Sequence, residues 1–474
     1  MNEAKVKLKQ ARPFKSLHCH AKMIQPLWKG FEYKQHQTFG IEWMMQRELE
    51  VIPGGLLCDE MGLGKTIQMV GLIKSAFLRN TLLIAPLAVL EQWREIATKS
   101  KINCFMYKTG SWTPPARTRI SSPNLYLINY ENVARNPELI QETKWGRVIC
   151  DEAHRLCSEG RAFKRIKQFE FPIHWLLTAT PIVNGMGDIR ALFKLIGIEY
   201  EESLLPRFVL ARTMEELRAI LPDLPAPAVE VTHRLDFDTE DEAEFYRGIQ
   251  GLIVRRWKSL AADGAANALH RLKLILRLRQ ISLHPQVYIE SRKRLLGPGK
   301  YERNDWIDGS TKFNAIQDLL LAEKTPKRWI VFCHFHKEME LLQASLEANP
   351  SVEKVWCYSG NVKGEDRTKI LKETHEPLNE KHQILLVQLQ SGGVGINLQH
   401  FSRIVFTGPW WTSALMNQAI GRAVRIGQKD TVIVHHILLK EEEGLNIDKL
   451  IQEKAKIKGD LCMKVLSAAN HDIK

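Results

Sequence analysis

A glycine-rich turn ending in Gly64-Lys65-Thr66, set between an apolar run and a helical pattern, constrains this chain more than any other feature. Gly54-Gly55-Leu56-Leu57-Cys58 reads as a short buried strand and Ile67-Gln68-Met69-Val70-Gly71-Leu72-Ile73 as a helix. A strand passing through glycines into a helix leaves backbone N–H groups free to wrap a polyphosphate, and the helix dipole favours anions at that end. Met61, Gly62, Leu63 and Gly64 form the cradle, Lys65 would neutralise the outer phosphates, and the Thr66 hydroxyl would hold Mg²⁺. Asp59 stands where such a motif usually has its first glycine. The pattern implies a nucleoside triphosphate site.

Strand-like and helix-like stretches then alternate. Thr81–Ala85, Asn124–Ile128, Arg147–Cys150 and His174–Thr178 are continuous apolar runs, as a parallel sheet covered on both faces requires. In such sheets ligands gather at the carboxyl ends of the strands, where the phosphate loop lies. Arg207–Pro227 reads as helical up to a proline-rich break, and Thr239–Leu283 as helical with an interruption at Ala262-Asp263-Gly264. A second alternating block comprises Arg328–Phe332, Lys354–Tyr358, Gln383–Val387, Arg403–Thr407 and Thr431–Val434. The expected fold class is α/β, with two parallel-sheet lobes and a helical insertion between them. The expected divisions are a basic arm at 1–24, a first lobe at 25–205, a helical insertion and linker at 206–300, and a second lobe at 301–474.

At 474 residues, 44% hydrophobic and 26% charged, the chain has an ordinary globular composition. No apolar run approaches the roughly 20 residues that span a bilayer, and Met1–Lys22 lacks the apolar centre of a secretory leader. Eight cysteines form no Cys-x-x-Cys pair, so a reducing, intracellular compartment is expected, whether nuclear, viral or bacterial. His18-Cys19-His20 has metal-ligand chemistry without a partner cluster in the sequence. A net charge of +13 points to a polyanionic partner, nucleic acid before membrane.

Asp151 and Glu152 follow the apolar run Arg147–Cys150. Asp151 suits the Mg²⁺-coordinating role, and Glu152 the activation of an attacking water. Thr178 and Thr180 close another strand with hydroxyls positioned to bond the acidic motif. Gln418, Gly421, Arg422 and Arg425 are spaced to share one helical face, presenting two guanidinium forks to charge on a transferring phosphoryl group. The loop Ser391–Leu398, with Gly395, suits either a nucleic-acid phosphate or a nucleotide site. Trp410-Trp411 suits nucleic-acid contact or, better, buried packing. The basic stretch Arg247–Arg279, with Leu272, Ile275, Leu276 and Leu278 as its apolar side, reads either as a grip on duplex phosphates or as a solvated helix face.

The order of these motifs resembles the superfamily 2 nucleic-acid motors, and more narrowly the SWI/SNF-type remodelling ATPases. Gln37-Thr38-Phe39-Gly40-Ile41-Glu42-Trp43, Gly54 through Gln68, Pro86 through Trp93, Trp145 through Arg155, Leu278-Arg279-Gln280-Ile281 with His284-Pro285, and Ile420 through Gln428 all follow the family pattern. The likeness spans roughly residues 25–440. It implies that Gln37 contacts adenine, that Lys65, Thr66, Asp151, Glu152, Gln418, Arg422 and Arg425 serve ATP and Mg²⁺, and that the partner is the phosphate backbone of double-stranded DNA. Departures from the pattern are His36 for a common Tyr, Ala179 for Gly, and Gly408, Thr412 and Ser413 around the tryptophan pair. The implied protein is a compact, monomeric, DNA-dependent ATPase that moves along or remodels DNA or protein–DNA complexes. A strand-separating or branch-migrating helicase, and a nucleotide-gated DNA-binding adaptor with little turnover, are the rival readings.

Overall fold

The computed structural model describes residues 24–469 apart from 137–142, 170, 223, 262–267, 298, 363, 393–395, 426 and 441–444. Most of the expected basic arm, the His18-Cys19-His20 cluster and Gly395 lie outside the described residues. The chain divides into two units, residues 1–224 with 458–474, and residues 225–457.

The first unit is built on an eight-stranded sheet in the order β4-β3-β5-β2-β6-β7-β1-β8. Its strands are β1 (Gly54–Leu57), β2 (Asn80–Ala85), β3 (Asn103–Lys108), β4 (Ser111–Thr113), β5 (Asn124–Asn129), β6 (Arg147–Asp151), β7 (His174–Leu177) and β8 (Val209–Leu210). All pairings are parallel except the β3–β4 hairpin. Central strands such as β1 are buried along their whole length, which is why they read as unbroken apolar runs rather than alternating ones. Pro86 ends β2 and starts the helix Leu87–Lys99, whose buried Val89, Leu90, Trp93 and Ala97 recur at helical spacing and face the sheet. Cys462 and Val465, from the last helix Ile447–Ala468, belong to the first unit's core.

The second unit holds a six-stranded, all-parallel sheet in the order β11-β12-β10-β13-β14-β9. Here β9 is Val229–Leu235, β10 Arg328–Cys333, β11 Val352–Tyr358, β12 His382–Gln388, β13 Arg403–Phe406 and β14 Ile433–Leu439. The helices Glu240–Ala261, Ala268–Leu283 and Pro285–Leu296 lie in sequence between β9 and β10, and their core includes Tyr246, Leu278, Ile281 and Ile451. Two parallel-sheet lobes with helices form the α/β class expected from the sequence.

Several local expectations are corrected. Arg207–Pro227 is not a helix. Val209 and Leu210, both fully buried, pair with Leu56 and Leu57 as an edge strand, and among the described residues of the segment only the single turn Met214–Leu217 is helical beyond them. Val229–Leu235, expected as linker, joins β14 in the second sheet. Strand β8 and the end of the last helix pack in the first unit. On Ala268–Leu283, Leu272 and Leu276 are solvent-exposed and Leu274, Leu278 and Ile281 are buried, so the apolar side is rotated from the expected one. Arg247, Arg255, Arg256, Lys258 and Lys273 are exposed, whereas Arg279 is buried.

Candidate nucleotide site

In the first sheet β6, β7, β1 and β8 are consecutive neighbours, and their register sets Asp151 beside Leu177, Leu177 beside Leu57, and Leu57 beside Leu210. The residues that leave these four strands therefore emerge side by side at one sheet edge. They are the acids Asp151-Glu152, the hydroxyls Thr178 and Thr180, the loop Asp59–Lys65, and Arg212.

Gly62 and Gly64 both adopt left-handed backbone, with φ of 89° and 82°, which lets the loop curl over the start of the helix Lys65–Ser75. Leu63 is fully buried beneath the loop, with Met61 and Thr66 half-exposed around it. The Lys65 ammonium folds back onto its own loop and donates to the carbonyls of Asp59, at 2.6 Å, and Glu60. From the helix Gln35–Arg47, Gln37 lies over the loop. Its Oε1 accepts from Lys34 N at 3.1 Å and its Nε2 points to Leu63 O at 3.4 Å. His36 is fully buried and its Nε2 meets Leu63 O at 2.8 Å. Burial lowers its pKa, so the ring is neutral and braces the loop instead of offering a face for stacking.

Asp151 ends β6 with both carboxylate oxygens engaged. The Trp93 indole donates to Oδ2 at 2.8 Å and the Glu152 N–H to Oδ1 at 2.9 Å. Burial, and then the neighbouring Glu152, raise its pKa to about 6, with Trp93 and Lys65 working the other way. Glu152 has φ of 52°, a left-handed conformation that costs a non-glycine residue roughly 1–3 kcal/mol and concentrates at functional sites. His154 Nδ1 lies 3.4 Å from Glu152 Oε2 and 3.3 Å from Thr178 Oγ1, so the expected link between hydroxyl and acidic motif exists and runs through the histidine. Thr180 N–H donates to Thr178 Oγ1, while Thr180 Oγ1 is buried without a partner among the described residues.

These residues fit a nucleotide with a divalent cation. The loop and helix N-terminus form an anion cradle, and two adjacent acids resist full ionisation until a cation joins them.

Gln418, Arg422 and Arg425 lie in the second unit. The helix that carries Gln418 runs Ser413–Ile420 and stops at Gly421. Arg422 and Arg425 therefore sit on the turns beyond it, not on the helical face that their spacing suggested. They remain neighbours. Arg422 is buried, Arg425 Nε donates to Gly421 O at 2.9 Å, and burial with Arg422 close by lowers the Arg425 pKa to about 10. Leu398, at the end of the glycine-rich loop, donates its N–H to Arg422 O at 3.1 Å. Trp410 packs: its ring stacks on His334 at 5.5 Å, with the Arg279 guanidinium 4.7 Å from its centre. Trp93, His154 and Arg212 were not assigned roles from sequence, since their partners lie on other strands.

Comparison with known proteins fits this arrangement. Residues 36–204 match the SNF2-related domain and residues 311–427 the helicase conserved C-terminal domain. The chain thus carries an SNF2-related domain followed by a helicase conserved C-terminal domain. It is 26% identical, over 93% of its length, to the probable ATP-dependent DNA helicase CHR12 of Arabidopsis thaliana, and spans 42% of that protein. It is 27% identical to the probable global transactivator of Orgyia pseudotsugata multicapsid polyhedrosis virus, covering 87% of each chain. The SWI2/SNF2 ATPase core of Sulfolobus solfataricus, solved in complex with dsDNA, matches at 21% identity and a TM-score of 0.40, covering 94% of this chain and 98% of that one.

Proposed function

We propose that this SNF2-related chain is an ATP-driven motor that moves along or remodels double-stranded DNA or protein–DNA complexes. One observation carries the reading: Lys65, Asp151, Glu152 and Thr178 stand at neighbouring strand ends of a single sheet. Gln37 then serves the adenine side, and the loop N–H groups with Lys65 bind the triphosphate once Lys65 releases Asp59 O and Glu60 O. Mg²⁺, held by Thr66 and Asp151, would neutralise charge on the phosphate oxygens. Glu152 orients the attacking water and takes its proton. Arg422 and Arg425 are the guanidinium groups suited to charge on a transferring phosphoryl group, a type of contribution worth on the order of 10³–10⁵ in rate. The proposed motor acts as a monomer.

The DNA assignment is supported by the net charge of +13, by the exposed arginines and lysines of Glu240–Ala261 and Ala268–Leu283, and by the Arabidopsis relative's name. Its test is the ATPase rate with double-stranded, single-stranded and forked DNA and with RNA. Duplex should accelerate turnover, and log apparent affinity should fall linearly with log salt, by about 0.9 per phosphate neutralised. Equal rates with RNA or with no nucleic acid would overturn the reading. Displacement of a plain duplex strand would favour a helicase, and binding without turnover an adaptor.

The Asp151–Trp93 bond yields a second expected result. The indole N–H favours the ionised carboxyl, so Trp93→Phe should raise the Asp151 pKa above about 6 and move the acid limb of kcat/KM to higher pH. The same shift has a stability sign. With a folded pKa above the ordinary 3.8, ionising Asp151 opposes folding, a cost absent below about pH 4 that accrues as pH rises to about 6. A pH–rate profile of Trp93→Phe that overlays the wild type would remove this account of Asp151.

A further inference from the structure

Asp59 poses an electrostatic problem, because a fully buried carboxylate lies in the loop that is read as holding a triphosphate. Left unneutralised it would repel the ligand, and burying it alone would be costly. Arg212, only 2% exposed, resolves both. Its Nε donates to Asp59 Oδ1 at 2.8 Å and its Nη2 to Oδ2, a two-point fork. Nη2 also donates to Gln68 Oε1 at 2.9 Å, and Nη1 to the His36 carbonyl at 2.5 Å. Gln68 closes the circuit by donating to Asp59 Oδ2 at 2.9 Å. One guanidinium thus joins the glycine-rich loop, the helix Lys65–Ser75 that follows it, and the helix carrying Gln37.

The backbone makes the same junction. Beyond β8 the chain stays zipped to the loop: Cys58 N–H donates to Leu210 O at 2.6 Å, Glu60 N–H to Arg212 O at 2.8 Å, and Met214 N–H to the Glu60 carboxylate at 2.6 Å. Gly40 keeps room for the network. A Cβ there would lie 1.9 Å from Gln68 Oε1 and 3.0 Å from Arg212 Nη2, so any side chain would press into the cluster.

We infer that Arg212 is a positioning residue of the nucleotide site: it cancels the Asp59 charge and fixes the loop's distance from the adenine-side helix. The inference rests on the nucleotide reading above and adds to it a residue outside the loop and acidic motifs. Lysine at 212 keeps the charge but cannot form the fork and also reach His36 and Gln68. Arg212→Lys should therefore fold with an unchanged circular dichroism spectrum, yet raise the Kd for Mg–ADP, measured by calorimetry, about tenfold or more. Its KM for ATP should rise in parallel, with kcat changed far less. Arg212→Met, which leaves Asp59 bare, should bind more weakly still. Asp59→Asn with Arg212→Met should regain part of the lost affinity, because the repulsion is gone. Gly40→Ala should weaken binding in the same direction as Arg212→Lys.

Lys65→Ala separates the two levels of the argument. If Lys65→Ala loses Mg–ADP binding while Arg212→Lys binds like wild type, the Arg212 assignment falls and the nucleotide site stands. If Lys65→Ala itself binds normally, the nucleotide site fails. A double variant that binds no better than Arg212→Met would also overturn charge cancellation as the cause.

Discussion

Glu152→Gln abolishes turnover while Mg–ATP still binds. General-base action contributes about 10²–10⁴ in rate, and glutamine preserves size and one hydrogen-bonding oxygen while losing the capacity to take a proton. The geometry makes the substitution clean. Glu152 holds a left-handed backbone at the exit of β6, and its N–H secures Asp151 Oδ1, so the amide keeps the strained turn and that bond intact. The side chain lies 3.4 Å from His154 Nδ1, itself in contact with Thr178, and the two residues lie level with the phosphate loop on the adjacent strands. Phosphate release and calorimetric binding on the same preparation measure the two halves of this result. Undiminished hydrolysis would remove Glu152 as the base and with it the division of labour between the two acids. Loss of binding together with turnover would instead mark Glu152 as part of the binding site.

The features legible in the sequence are those whose chemistry is contiguous at the end of one strand. Lys65 and Thr66 after β1, Asp151 and Glu152 at β6, and Thr178 after β7 each follow an apolar run that announces its own strand, and parallel order brings the ends together. Residues acting across the sheet gave no such signal. Arg212 lies 153 positions from Asp59 and Trp93 lies 58 from Asp151, and nothing adjacent to either residue in sequence names its partner. Strand β8 is two residues long, too short for any periodicity to show. The helix Ala268–Leu283 misled for the opposite reason. Apolar residues at 272, 274, 275, 276 and 278 allow more than one helical phase, and packing selects Leu274, Leu278 and Ile281. Spacing alone also overextended the helix before Arg422, because steps of four and three fit a helix or the turns that follow Gly421 equally well.

Arg147→Met destabilises the first unit by about 3–5 kcal/mol, the usual consequence of leaving a buried charge without its partner. Arg147 is fully buried at the start of β6 and forks onto Glu48, Nε to Oε1 at 2.6 Å and Nη2 to Oε2 at 2.5 Å. Trp175 on β7 donates its indole N–H to the same Glu48 Oε1 at 2.8 Å, and Arg147 also reaches Ala76 O at 3.1 Å. Glu48 directly follows the helix Gln35–Arg47. The three elements clamped here are those whose opposite ends carry Gln37, Asp151 and Thr178, so the pair holds the far side of the sheet in the register that the nucleotide site needs. Denaturant unfolding followed by tryptophan fluorescence reads the loss directly, with Trp175 inside the cluster. Adding Glu48→Leu to Arg147→Met should recover much of the stability, since the stranded carboxylate is then gone and apolar groups fill its place. Equal instability of the single and double variants would show that shape, not the unpaired charge, sets the cost at this position.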